Sequence, residues 1–105
     1  MDSADKCVFC EIPASAYLLS NDYFYVIADK RPVSKGHSLV ISKRHVMQYF
    51  DLCEEESVAL LKIVNELKDV LQKQYSPKAY NLMMNCGSKA GQTVFHYHMH
   101  VIPRY

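Results

Sequence analysis

Three histidines, His96, His98 and His100, stand at every second position of the stretch VFHYHMHVIPR, residues 94–104, with Tyr97 and Met99 between them. Two more histidines, His37 and His45, complete the chain's set of five. Alternation is the period of a strand, so the three imidazoles are expected on one face, about 6.6 Å apart at ~3.3 Å per residue. Phe95, Tyr97, Met99 and Val101 then share the opposite face and are expected to pack against a helix. Parallel imidazoles repel when protonated and gain little from packing, so stability alone gives no reason to repeat them.

Two chemistries would use such a face. In the first, two histidines one residue apart on a strand bind zinc, with a further ligand from elsewhere. In the second, a histidine is a nucleophile toward phosphorus, for which a neutral imidazole suits because its pKa lies near the working pH. That histidine needs one ring nitrogen free and the other holding its proton against an acceptor. It also needs donors for the phosphate oxygens, which flanking imidazoles and the backbone of GSKAGQT (87–93) would supply. Only the second chemistry uses both the strand and the loop before it.

The cysteines raise a separate question. Cys7 and Cys10 form a C-x-x-C pair, which inside a cell reads as a metal clasp, a redox pair or a chance spacing. A redox pair wants a strand before the motif and a helix opening at it. With six residues ahead of Cys7, metal is the better reading. Cys53 and Cys86 read as ordinary buried or half-buried thiols.

The elements that must position these groups follow from pattern. YLLSNDYFYVIA (17–28) reads as a hairpin turning at Asn21-Asp22. DKRPVSKGH (29–37) is a loop punctuated by Pro32 and Gly36, and SLVIS (38–42) a third strand. Residues 43–50 are ambiguous, with a short helix expected near His45. Asp51 followed by Glu54 forms a capping-box pattern, with Glu55 and Glu56 at the positive end of the helix it opens. Leu60, Val64, Leu67 and Leu71 recur at helical spacing, widened by Ile63 and Val70, and the helix should end near Tyr75, before Pro77. AYNLMMN (79–85) is a fourth strand and residues 94–103 a fifth.

Composition bounds the rest. A chain of 105 residues, half hydrophobic and 22% charged, fits one globular domain over 1–105. The formal charge of +1 carries no footprint for nucleic acid or a membrane surface. No apolar run approaches the ~20 residues of a membrane span. The start, MDSADKCVFC, has neither the basic end nor the apolar stretch of a signal peptide. A cytoplasmic location is the expectation.

AGQTVFHYHMHVIPR (90–104) resembles the signature of the histidine triad family of nucleotide hydrolases and transferases. GHSLVISKRH (36–45), the Asp29 to Pro32 loop, the Asn85-Cys86-Gly87 turn and CVFCEIP (7–13) resemble further family segments in family order. The resemblance implies an α+β fold, a five-stranded antiparallel sheet with one long and one short helix, its sheet extended across a homodimer. It implies substrates that are purine nucleoside monophosphates carrying a leaving group on the α-phosphate, either an amine or a phosphate chain. His98 matches the nucleophile that becomes nucleotidylated, and His100 and His37 match histidines of the phosphate site. Asn85, Gln92 and Thr93 match contacts to phosphate or leaving group. Asp29 matches the residue holding the ribose hydroxyls, and Phe9, Ile12 and Ile27 match the apolar clamp on the base. A C-x-x-C subset of the family binds structural zinc, through positions that here are Cys7, Cys10, His45 and His96. The activity implied is a nucleoside phosphoramidase, the alternatives being a dinucleoside polyphosphate hydrolase or a nucleotide-binding regulatory module with little turnover.

Overall fold

A computed structural model describes residues 7–105; the expectation for the chain's first residues falls partly outside them. Five strands, β1 (Leu19–Ser20), β2 (Phe24–Ala28), β3 (Ser38–Ser42), β4 (Ala79–Met83) and β5 (His98–Arg104), form one antiparallel sheet in the order β1-β2-β3-β5-β4. One long helix, α1 (Glu54–Tyr75), lies between β3 and β4 in sequence. The expected short helix is a single 3-10 turn at Tyr49–Asp51, downstream of His45.

Alternation along β2 and β3 divides the sheet into two faces. Phe24, Val26 and Val40 pack on one side with Met99, Val101 and the buried stripe Leu60, Ile63, Leu67 and Leu71 of α1. Tyr25, Leu39 and Ile41 pack on the other with Phe9, Ile12, Tyr17 and Ile27. Every residue of β3 is therefore buried, which its run of apolar residues between two serines permits. Val70, expected to widen the helical stripe, is 40% exposed.

The start of α1 differs from the sequence pattern by two residues. Cys53 is the N-cap and Glu56 completes the box, its Oε1 accepting the Cys53 N–H at 2.8 Å. Asp51 instead closes the preceding 3-10 turn, accepting the Gln48 N–H at 3.2 Å. Cys53 is exposed rather than buried, because a cap residue faces the solvent end of its helix. Glu56 is 2% exposed and is held by Arg44 through Nε to Oε2 at 3.0 Å and Nη2 to Oε1 at 2.8 Å. That pairing fixes the segment that leads into His45. The helix ends as expected at Tyr75, with Ser76 in the left-handed region (φ 51°) ahead of Pro77.

Gly36, just before His37, has φ 89°, and a Cβ there would lie 3.0 Å from the Tyr75 ring. Only glycine lets the loop close this tightly over the end of α1.

Candidate functional site

Cross-strand pairing sets the histidines. His98 stands opposite Ile41 and His100 opposite Leu39, so both lie on the Tyr25–Leu39–Ile41 face, away from α1. The strand begins at His98, four residues later than its alternating pattern suggests. His96 precedes it, where the chain is tied by Tyr97 N–H to Val46 O at 2.8 Å and Ser42 N–H to Tyr97 O at 3.3 Å. Phe95, expected in the core, is 38% exposed in this irregular stretch. The three histidines are thus not one row: His98 and His100 share the strand face, and His96 turns aside.

His96 turns into a cluster with Cys7, Cys10 and His45, whose ligand atoms all lie within 4.8 Å of one another. His96 Nδ1 is 3.2 Å from Cys7 Sγ, 3.5 Å from Cys10 Sγ and 3.2 Å from His45 Nδ1, and Cys10 Sγ is 3.2 Å from His45 Nδ1. A tetrahedral zinc with thiolate and imidazole ligands places such atoms about 3.3–3.6 Å apart. The other ring nitrogen, His96 Nε2, donates to Ser42 O at 2.7 Å, leaving Nδ1 as the lone-pair donor. This is the outer support a metal-bound imidazole needs. The Cys2His2 set therefore fits a metal with no open position.

A second cluster, Asp29, His37 and His100, also brings three ligand atoms together, but its protons are arranged against a metal. The Val33 N–H donates to His37 Nδ1 at 3.0 Å, so neutral His37 carries its proton on Nε2. That N–H donates to His100 Nδ1 at 3.0 Å, with Asp29 Oδ2 3.4 Å away. His100 in turn carries its proton on Nε2. Burial holds the pKa of His37 and His100 below the ordinary histidine value, the nearby His98 and His37 adding to the effect on His100 and Asp29 opposing it on both.

His98 has the complementary arrangement. Its Nδ1–H donates to the His96 carbonyl at 2.8 Å, which leaves Nε2 with a free lone pair. The His98 and His100 rings are 5.5 Å apart, centroid to centroid. One face thus presents an imidazole nitrogen with an open lone pair beside an N–H donor.

Beside them a cavity of about 640 Å³ is lined by Phe9, Ile12, Leu18, Ile27, Leu39 and Asp29. Phe9 meets the His98 ring edge-on at 5.1 Å. Asp29 joins cavity and histidines, its Oδ1 accepting the Arg31 N–H at 2.8 Å.

The loop residues divide. Asn85 and Thr93 are exposed, and Asn85 lies against Gly91, where a Cβ would come within 3.3 Å of its amide nitrogen. Gln92 is 5% exposed. Its Nε2 donates to Met47 O at 2.6 Å and Val94 O at 3.0 Å, while Oε1 accepts the Gly87 N–H at 2.8 Å. In this structure its amide braces the loop. Tyr25, Val33, Ser42 and the Arg44–Glu56 pair are site supports that sequence pattern does not single out. Two of them act through backbone groups, which any residue type carries.

A sheet of this topology, with paired histidines on a strand face, an apolar cavity beside them and a Cys/His cluster, defines a class of small α+β proteins. Residues 11–105 match the HIT domain family model. The chain is 37% identical over 109 residues to Protein hit of Bacillus subtilis, covering all of this chain and 75% of that protein. It is 33% identical over 103 residues to adenosine 5'-monophosphoramidase hnt1 of Schizosaccharomyces pombe, covering 94% and 74%. Among solved structures it matches a HIT family protein from Bacillus anthracis at TM-score 0.88 and 36% identity, covering 96% and 74%. It matches a Zn-bound histidine triad family protein from Mycobacterium smegmatis at TM-score 0.84 and 31% identity, covering 97% and 77%. The chain belongs to the HIT family.

Proposed function

We propose that this protein hydrolyses nucleotide conjugates at the α-phosphate through a covalent nucleotidyl intermediate on His98, and that its substrates are purine nucleoside phosphoramidates. The observation that carries this reading is the opposed proton arrangement of His98 and His100. His98 Nε2 attacks phosphorus, forming a P–N bond as the bond to the leaving group breaks. The imidazolium so formed keeps its Nδ1–H on the His96 carbonyl. His100 Nε2–H donates to a non-bridging phosphate oxygen as charge builds there. It is a donor rather than a proton source, since losing that proton while Nδ1 still accepts from His37 would leave an imidazolate. An amine leaving group is therefore protonated by water or departs with a proton it already carries. Water then attacks phosphorus and gives up a proton to solvent, the P–N bond breaks with its electron pair returning to Nε2, and neutral His98 is restored as the nucleoside monophosphate leaves.

The apolar cavity takes the base, with Phe9, Ile12 and Ile27 as its clamp, and Asp29 accepts from the ribose hydroxyls. Asn85, Thr93 and the loop braced by Gln92 face the leaving group. Cys7, Cys10, His45 and His96 hold a structural zinc, which supplies no chemistry to the phosphate because its shell is full. The sheet extends across a homodimer through the edge strand β4, whose Leu82 and Met83 are exposed. Thiol ligands suit the reducing cytoplasm.

Turnover of an adenosine phosphoramidate and a diadenosine polyphosphate, at equal concentration, tests the reading. A kcat/KM at least tenfold higher for the amidate supports it. The reverse order makes the protein a dinucleoside polyphosphate hydrolase, and AMP binding without turnover of either makes it a regulatory module.

A further inference from the structure

The C-x-x-C segment contributes to two sites at once. Cys7 and Cys10 are half of the metal-ligand set, and Phe9, between them, is a wall of the apolar cavity. Phe9 is fixed from several sides. Its ring stands edge-on to His98 at 5.1 Å and to His96 at 5.8 Å. Its carbonyl accepts the hydroxyl of Tyr25. Tyr25 is 2% exposed and stacked on Tyr17 at 4.3 Å, so the hydroxyl cannot follow a moving partner. Only Val8 and Phe9 separate Cys7 from Cys10, three peptide units with a reach of at most ~10 Å. With both sulfurs on one ion, the intervening backbone has little slack. With the ion removed, the segment keeps the Tyr25 bond, its ring contacts and sulfur–nitrogen contacts of 3.2–3.5 Å, which are weak.

We propose that the metal clasp and the cavity are one coupled unit joined by Phe9: metal in the clasp sets the Phe9 wall and tightens nucleotide binding, and a base seated on Phe9 slows metal release. The proposal rests on the nucleotide reading above. By linkage, metal and AMP raise each other's equilibrium affinity by the same factor, since each favours the same ordered segment, and slower metal release is the kinetic sign of that tighter binding. Couplings of this kind are typically ~5–150-fold.

The test follows release of zinc from the loaded protein into an excess of colorimetric chelator. Release is measured alone, with saturating AMP and with saturating inorganic phosphate, which fills the phosphate site without a base. AMP is expected to slow release about tenfold, and phosphate to change it less than twofold. In Phe9→Ala, which keeps all four ligands, saturating AMP should no longer slow release. If Phe9→Ala does not hold zinc, Tyr25→Phe keeps the buried ring and removes only the hydroxyl. It should at least halve the AMP effect, and an unchanged effect overturns the role given to the Phe9 carbonyl. Calorimetry of AMP on the same loaded protein separates the two levels of the argument. Tight AMP binding with unaltered zinc release overturns the coupling alone. Equal slowing by phosphate overturns the Phe9 route. No AMP binding overturns the nucleotide reading and this inference with it.

Discussion

Replacing Glu56 by glutamine should destabilise the protein by about 2 kcal/mol at pH 7, and the loss should fade in acid. Glu56 is buried, and its carboxylate accepts from Arg44 at 2.8 and 3.0 Å and from the Cys53 N–H at 2.8 Å. The Arg44 bond, helped by the Cys53 N–H and against burial, holds the carboxyl down from 4.5 to about 2. At full strength that difference corresponds to about 3 kcal/mol. The Arg44 side chain is 56% exposed, so solvent screening trims the value to about 2 kcal/mol. Because the folded pKa is the lower one, this stability is complete above the unfolded value near 4.5. It is lost as pH falls through about 2. Urea unfolding of wild type and Glu56→Gln at pH 7, 4 and 2.5 would read it. At pH 7 the variant's melting temperature should drop by roughly 8 °C for a domain of this size. A difference below about 0.5 kcal/mol at pH 7 would refute the reasoning, as would one that stays constant down to pH 2.5.

Acid should also lower stability through the buried histidines. His37 and His100 have lowered pKa values through burial, so the unfolded chain takes up protons first and stability falls as pH drops below about 6.5 towards their folded values. Chemical denaturation between pH 8 and 5 should show this fall in wild type, and less of it in His37→Asn. Cys7→Ser should bring zinc below one per chain by metal analysis and lower the melting temperature, while zinc-replete protein without added metal is expected of wild type. Gln92→Leu should cost about 2 kcal/mol by leaving buried backbone groups unpaired. Its Gly87 amide should lose protection in hydrogen exchange if the bond to Oε1 at 2.8 Å is the brace described.

Where sequence and structure part, the reason is physical. The strands, the stripe on α1 and its end at Ser76 were legible because periodicity and the Pro77 breaker report burial directly. The cap of α1 was not, because Asp51-x-x-Glu54 and Cys53-x-x-Glu56 overlap and the Arg44 guanidinium chooses between them. Alternation alone put His96 on the same face as His98. The Tyr97 N–H bond to Val46 O delays the start of the strand and frees His96 to turn towards Cys7. The clustering of Cys7, Cys10, His45 and His96 is as family resemblance implied. The proton arrangement is beyond any sequence pattern, since its determinants are the Val33 N–H and the His96 and Ser42 carbonyls.

The central claim is that His98 Nε2 is the nucleophile. Rapid acid-free quenching of protein with an adenosine phosphoramidate, followed by peptide mass spectrometry, tests it most directly. The account predicts an adenylyl mass on the peptide holding His98 in wild type. It predicts none in His98→Ala, whose turnover should fall by several orders of magnitude while AMP affinity stays within about tenfold. Near-normal turnover in His98→Ala, or an adduct on another residue of wild type, would contradict it.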